Sequence, residues 1–417
     1  MSIAEQTCAA IENDISKSQG DIDVFPWMTA AALELVGEAG LGYSFDSFKG
    51  KRNEYSIAIK DITRFFFKVV PFATLLPYIS NIGTPSFRRW VLQHVPVSSV
   101  QKLLQAARLQ NNQAEEVLRV RQALLASGGD LTSEAGRGRD IMTLLMKANE
   151  AEGSENHISR DAMIGHMNVF IFAGHETTST AVSHILSILA DNEDIQVRLR
   201  EEIRTYFKEH QDDANHDALL ELPYLDAVVR ETLRVYGPVS SIVRQSQVDT
   251  VIPLEYPIET PTGKITSIPI KKDTRVVMNV VMANRYEKIW GEQADQFRPE
   301  RWIGNKPDEV TEPGAHLPGV YSSMQDDVWW WSYILHWVQV CYLGNQLRQR
   351  FHHVLFSQIL TVRVVEVMIA TLVKTFKFEP PEQETVWETM GVQFPYLKSE
   401  MNDAEKLPKL PLRVVKL

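Results

Sequence analysis

One stretch constrains the fold more than any other: MIGHMNVFIFAGHETTSTAVSHILSILA, residues 163–190. It is the most apolar long run of the chain, yet it carries His166, His175, His184 and Glu176. A membrane span needs about eighteen or more apolar residues with few or no charges, and no stretch of these 417 residues meets that. The run reads instead as the buried part of one long helix, from about Ser159 to Ala190, around which the rest must be built.

The other patterns fit such a centre. Residues 26–40, 55–70 and 85–127 have apolar residues at helical spacing. Between the last two lies PFATLLPYISNIGTP, apolar and rich in turn residues, a pocket mouth or a plain packed loop. Asp191 or Asn192 is placed to cap a further helix, EDIQVRLREEIRTYFKEH. LPYLDAVVRETLRVYG (222–237) is helical and ends at Gly237-Pro238. Then the period changes. VIPL, KITSIPI and TRVVMNVVMA alternate or run β-branched around a PTG turn, which predicts strands and a hairpin. Residues 364–381 read as a helix running into a strand, and PLRVVKL closes the chain as a strand. The expectation is a fold that is mainly α with a small β part, in one domain over 1–417.

At 44% hydrophobic and 23% charged, the chain can bury a sizeable core. Its net charge of −10 argues against a nucleic-acid partner and against a strong anionic-membrane footprint. Cys8 and Cys341 are the only cysteines, which excludes a disulfide framework and fits a reducing, cytosol-facing location. The polar opening, MSIAEQTCAAIENDISKSQG, is no signal peptide.

Three short motifs point to chemistry. Ala173-Gly174-His175-Glu176-Thr177-Thr178 breaks helix rules in mid-helix. A glycine there costs about 1 kcal/mol against alanine, and threonine hydroxyls bond back to carbonyls. Gly174 would let a flat ligand approach the backbone, and Thr177 with Glu176 would suit proton delivery. A kinked helix with satisfied threonines is an equal reading of these residues alone. His175 reads as a neutral, packed histidine. Glu231 and Arg234, at i and i+3, share a helix face and can pair. Phe297-Arg298-Pro299-Glu300-Arg301-Trp302 is a compact loop with charge between apolar anchors.

In that order, with Glu231 55 residues after Glu176 and Glu300 69 after Glu231, the motifs resemble those of the cytochrome P-450 superfamily, the heme-thiolate monooxygenases. The resemblance runs roughly from Pro26 to Met324, resumes near Phe356, and is most like fungal members. It implies heme b as cofactor, O2 and a small apolar organic substrate, and electrons from NADPH through a flavoprotein reductase. It also implies a place at the cytosolic face of the endoplasmic reticulum membrane; with no anchor in this sequence, the chain as written would be soluble or peripheral. Carried over, Ala173 to Thr178 match the oxygen-activating groove, with Glu176 and Thr177 in the proton-relay slots. Glu231, Arg234 and Arg301 match the buried charge triad. Arg244 matches a position that pairs with a heme propionate.

Two features depart from the family. The sequence begins at what resembles a later helix, without the usual amino-terminal part. And where the family has F-x-x-G-x-R-x-C-x-G, whose cysteine thiolate binds iron, this chain reads VWWWSYILHWVQVCYLG. Cys341 lies there, but Tyr-Leu-Gly344 follows it, so it is a weak ligand candidate. Tryptophan has the single codon TGG. Shifted by one base, Trp329-Trp330-Trp331 spells three glycines. In that frame Val328 can give Phe, Leu335 can give Cys, and Trp337 must give Gly. The shifted frame permits F-G-G-G-x-x-x-C-I-G, which matches the family's spacing; the arginine slot, at Tyr333, is not matched. Residues 325–355 therefore read as an aberrant segment in place of the heme-ligand loop. A genuine aromatic insertion is the bland alternative.

These readings lead to a heme-dependent monooxygenase or the impaired product of its gene. The competing class is a heme-free helical scaffold or binding protein. A minor third is a heme ligated by Cys341, His352 or His353.

Overall fold

The computed structural model describes every residue except 1, 19, 50–56, 61, 63–64, 66–68, 70–81, 128–139, 152–157, 211–215, 305–355 and 404–405. Nine helices longer than one turn are described: α1 Ile3–Lys17, α2 Phe25–Val36, α3 Pro85–His94, α4 Ser98–Ala126, α5 Ile141–Ala151, α6 Arg160–Asp191, α7 Glu193–Glu209, α8 Pro223–Val235 and α9 Phe356–Thr375. The strands are β1 Ile22–Asp23, β2 Ser241–Gln245, β3 Thr250–Thr260, β4 Gly263–Ile270, β5 Arg275–Asn279, β6 Phe376–Glu379, β7 Thr385–Met390, β8 Val392–Leu397 and β9 Pro411–Lys416. The mainly α expectation with a small β part matches this.

α6 is the spine. Ser159 caps it, its hydroxyl accepting from the Ala162 N–H at 3.3 Å, and Asp161 suits the positive end of the helix. Thirty-two residues make a rod of about 48 Å. From Thr178 to Ala190 all but Ser187 are buried. Two cores meet on this rod. The larger gathers side chains of α1, α2, α7, α8, α9 and strands β6, β8 and β9 around Ile185, Leu186 and Leu189. The smaller packs α4 and α5 against the end of α2 and against Met163, Met167 and Ile171.

The strands form a three-stranded antiparallel sheet, β1-β9-β6, the antiparallel pair β2–β5, and the hairpins β3–β4 and β7–β8. Ile22 opposite Leu412 ties the amino-terminal part to the last strand.

Local chemistry corrects several sequence expectations. The pattern over 85–127 is two helices, because Pro96 cannot continue the first. TRVVMNVVMA stays a strand only to Asn279. There the Asn279 carboxamide accepts from the Met282 N–H at 3.0 Å and starts a helical turn instead. Asn192 stands at the cap position of α7 but makes no cap. Its amide turns back to donate to the Ile188 carbonyl at 2.7 Å. The polar opening residues form α1 through a capping box, Ser2 with Glu5.

Candidate functional site

Two constellations matter, one on α6 and one at the end of α8. On α6, Ala173, His175, Glu176 and Thr178 are buried and Thr177 is half-buried. The Thr177 hydroxyl donates to the Ala173 carbonyl at 2.6 Å, and Ser179 donates to the Glu176 carbonyl at 3.1 Å. The helix thus satisfies the Thr177 and Ser179 hydroxyls itself, as the plainer reading allowed. Gly174 has a neighbour that the sequence pattern does not reveal. A Cβ there would sit 2.6 Å from Val36 Cγ2, so the glycine is required by the close approach of α2. Helix packing is thus one reason for this glycine.

Glu176 is the unusual group. It is fully buried, and His175 Nδ1 lies 3.2 Å from its Oε1. Neither carboxylate oxygen accepts a hydrogen bond of good geometry from the described residues. Burial pushes its pKa up, but the His175 imidazole and the charge of Lys60 more than offset that and hold it below the usual carboxylate range. Lys60, in the helical residues 57–60, also donates to Thr29 Oγ1 at 2.8 Å. Glu176 is therefore a buried, ionised carboxylate one residue from a half-buried hydroxyl. That arrangement can hold and pass a proton.

The second constellation is denser. Arg234 is fully buried and makes a two-pronged pair with Glu231: Nε to Oε2 and Nη2 to Oε1, both 2.8 Å. The same guanidinium donates to the carbonyls of Asn284 at 2.6 Å, Ala294 at 2.5 Å and Gln296 at 3.0 Å. Glu231 also accepts from the Arg298 N–H and the Trp302 indole N–H, each at 2.9 Å. Arg301 comes to the same carboxylate, its Nε 3.6 Å from Oε1. Its other nitrogens donate to the Trp290 and Gln293 carbonyls. Burial lowers the Arg301 pKa, opposed by the Glu231 charge. One ion pair thus pins residues 284–302 onto α8. The structure brings together the three residues singled out in the sequence, Glu231, Arg234 and Arg301.

Trp302 belongs to the cluster, although the sequence marks it only as an apolar anchor. The available signal is its indole N–H, which when buried needs an acceptor. Glu300, from the same motif, lies half-exposed and pairs with Arg198 at 2.7 Å. Arg244 sits on β2 opposite Val276 of β5 and donates to the Val243 carbonyl at 3.0 Å. Cys341, His352 and His353, with the whole aberrant segment 325–355, lie outside the described residues. Among the described residues the one cysteine is Cys8, buried near Thr375 with its thiol pushed up to about 11 by burial. It is no thiolate at neutral pH.

Comparison with known proteins gives the family and the fold. The family model for cytochrome P450 matches residues 1–318. The chain is 35% identical over 408 residues to Cytochrome P450 monooxygenase 91 of Postia placenta, covering 97% of this chain and 70% of that protein. It is 32% identical to Ganoderic acid synthetase CYP5150L8 of Ganoderma lucidum, covering 96% and 70%. The crystal structure of a cytochrome P450, CYP102L1, superposes with a TM-score of 0.62 over all of this chain and 73% of that one, at 19% identity, and supports the fold. With a helical spine, a buried Glu231–Arg234 pair and relatives of this likeness, the chain belongs to the cytochrome P450 family of heme-dependent monooxygenases.

Proposed function

We propose that this chain is the frame of a fungal monooxygenase whose oxygen-side helix is in place and whose iron-ligand loop is replaced over 325–355. The reaction of the intact frame is insertion of one oxygen atom from O2 into a small apolar organic substrate of secondary metabolism. Electrons come from NADPH through a flavoprotein reductase, with the protein peripheral to the cytosolic face of the endoplasmic reticulum membrane. Among the described residues no helix is long and apolar enough to cross a membrane.

The observation that carries the reading is a fully buried Glu176 next in sequence to a half-buried Thr177 on the spine helix. On that side the residues fit a heme. Ala173 and Thr177, at i and i+4, share one face of α6, and their small side chains leave the backbone approachable. The heme, when bound, would supply the oxygen activation. Glu176 holds a negative charge away from water, and Thr177 offers the hydroxyl nearest to it along the helix. Arg244 is the proposed partner of a heme propionate. Among the described residues no thiolate stands ready as an iron ligand, because Cys8 is buried in its neutral form, and Cys341 lies outside them. The family match also stops at residue 318, seven before Gln325.

The test is the reduced, carbon-monoxide-treated spectrum of the purified chain together with its heme content. The expected result is well under one heme per chain and no red-shifted thiolate band. That band at near one heme per chain would overturn the reading. A cooperatively folded, heme-free sample favours the helical-scaffold alternative. A heme without the thiolate band favours ligation by His352 or His353.

A further inference from the structure

The face of α6 that carries Ala173 and Thr177 does not end with them. Thr180 and His184 continue it, at i+7 and i+11 from Ala173, and both are buried. Both hold one residue of the β7–β8 hairpin, Gln393. The Thr180 hydroxyl donates to the Gln393 carbonyl at 3.0 Å, and His184 Nε2 lies 2.7 Å from the Gln393 Oε1. A carboxamide oxygen only accepts, so Nε2 carries the ring proton and donates. The Gln393 N–H in turn donates to the Pro238 carbonyl at 3.1 Å, and the neighbouring Val392 bridges to Val239. The carbonyl, the N–H and the side chain of Gln393 are thus each engaged, by α6 on one hand and by the chain just past α8 on the other.

The His184 ring is itself held. Trp387 of β7 stacks on it with centroids 3.4 Å apart and planes 18° apart, and Tyr236 stacks at 5.4 Å and 22°. Burial pushes its pKa down to about 3 against the pull of the Gln393 hydrogen bond, so the ring stays neutral and the contact is permanent at physiological pH. An apolar side chain at 184 would fill the same space. What the imidazole adds is register. A slip of β8 by one residue would turn the Gln393 side chain to the other face of the ribbon and leave a buried N–H without an acceptor. The place of this contact gives it a use. Thr180 lies three residues past Thr177, about 4.5 Å along the helix axis. The hairpin turns at Gly391, whose φ is +78°, two residues before Gln393. The backbone that borders the Thr177 face on its carboxy-terminal side is therefore set by what holds Gln393.

We propose that His184 is a positioning residue for substrate choice: through Gln393 it fixes where residues 389–392 stand beside the Thr177 face, and so which apolar molecules fit there. This rests on the monooxygenase reading above. Its test reads no heme, so the two can fail separately. The intact chain and three variants are compared by hydrogen exchange with mass spectrometry and by titration with Nile red, a neutral apolar dye. His184→Phe keeps a ring for the stack and removes the donor. His184→Gln removes the ring and keeps an N–H donor. Gln393→Leu removes the acceptor. In His184→Phe and Gln393→Leu the amides of residues 389–394 should exchange roughly tenfold faster, the loss of one buried hydrogen bond, while those of α1 and α7 exchange as in wild type. Dye affinity should change by roughly tenfold in the same two variants, as for a misplaced pocket wall. His184→Gln should restore both readings toward wild type, a rescue that a merely space-filling histidine would not show. The proposal is overturned by unchanged exchange at 389–394 in His184→Phe, or by a speed-up spread evenly over the chain. It is equally overturned by a His184→Gln variant that behaves like His184→Phe, by wild type that binds no dye, or by dye affinities equal in all four proteins.

Discussion

Replacing Arg234 with methionine keeps an unbranched apolar stem and removes the charge and all five hydrogen bonds. Glu231 is then left fully buried and keeps only the Arg298 and Trp302 donors and the more distant Arg301. The carbonyls of Asn284, Ala294 and Gln296 lose the guanidinium donor. Breaking a buried pair from one side costs about 3–5 kcal/mol, and each carbonyl left dry adds to that, though not additively. Against a total stability of about 5–15 kcal/mol, the variant should lose about a fifth or more. With a urea slope of about 3 kcal/mol per molar, the midpoint falls by about 1 M or more. The assay is urea unfolding of the purified chain followed by far-ultraviolet circular dichroism. Glu231→Leu/Arg234→Met is the second arm. It removes both charges, so it should be less destabilised than the sum of the singles, a positive coupling of about 2 kcal/mol or more. A loss under about 1 kcal/mol for Arg234→Met, with an unchanged slope, would refute the claim that this pair pins residues 284–302.

Smaller perturbations test the same geometry elsewhere. Trp302→Phe deletes one hydrogen bond to a buried carboxylate and should cost about 1.5–3 kcal/mol in the same unfolding assay. Gly174→Ala must push Val36 aside and should destabilise by about 1–3 kcal/mol despite alanine's better helix propensity. The double variant Gly174→Ala/Val36→Ala should recover part of that, as read by thermal melting. Glu366 on α9 is buried, and its pKa is raised from 4.5 to about 8. Burial is the main cause and the Asp226 charge the next, with Arg230 and Arg363 opposing. Its folded form therefore holds a proton that the unfolded chain has lost, so stability falls as pH rises from about 4.5 and the loss is complete above about 8. The full effect is on the order of 2–5 kcal/mol. Glu366→Gln should flatten the stability profile between pH 5 and 8, and an unchanged slope would count against the burial argument.

Much of this fold is legible in the sequence. The helical spine is readable because a long apolar run bearing histidines and a glutamate has few other homes. Glu231 and Arg234 are readable because i, i+3 spacing is local geometry. Their surroundings are not, since carbonyls from 284–296 arrive through chain reversals that no periodicity encodes. Trp302 is half legible: its burial follows from its type, its hydrogen-bond partner from tertiary placement. Gly174 shows the limit most plainly. A mid-helix glycine announces a close approach but not by what, and here Val36 of α2 is what approaches. The break at Pro96 and the capping box at Ser2 are legible in principle, being signals of residue type and spacing alone.

The residues after segment 325–355 bear on its origin. Loss of one base with nothing to compensate would scramble every residue downstream. Instead, residues from Phe356 on form α9 and then β6, β7, β8 and β9. Val365, Met368, Ile369 and Leu372 of α9 enter the main core beside Ile185 and Leu186. The Gln196 amide donates to the Phe378 carbonyl at 2.8 Å, and Arg200 donates to the Val373 and Phe376 carbonyls at 3.0 Å. Such interlocking between α7 and the far side of the segment is not what out-of-frame codons would produce. If the segment is out of frame, the frame must be restored by Phe356, through a pair of compensating frame changes or a stretch of unspliced RNA that begins and ends out of register with the loop. Both predict that the natural transcript encodes, between Met324 and Phe356, a phenylalanine, glycines and a cysteine at the spacing the shifted frame permits. Reads across this region that show one uninterrupted frame through Trp329-Trp330-Trp331 would sink both. The tryptophans would then be native, and heme-thiolate chemistry would have to be withdrawn for this chain while the fold stands.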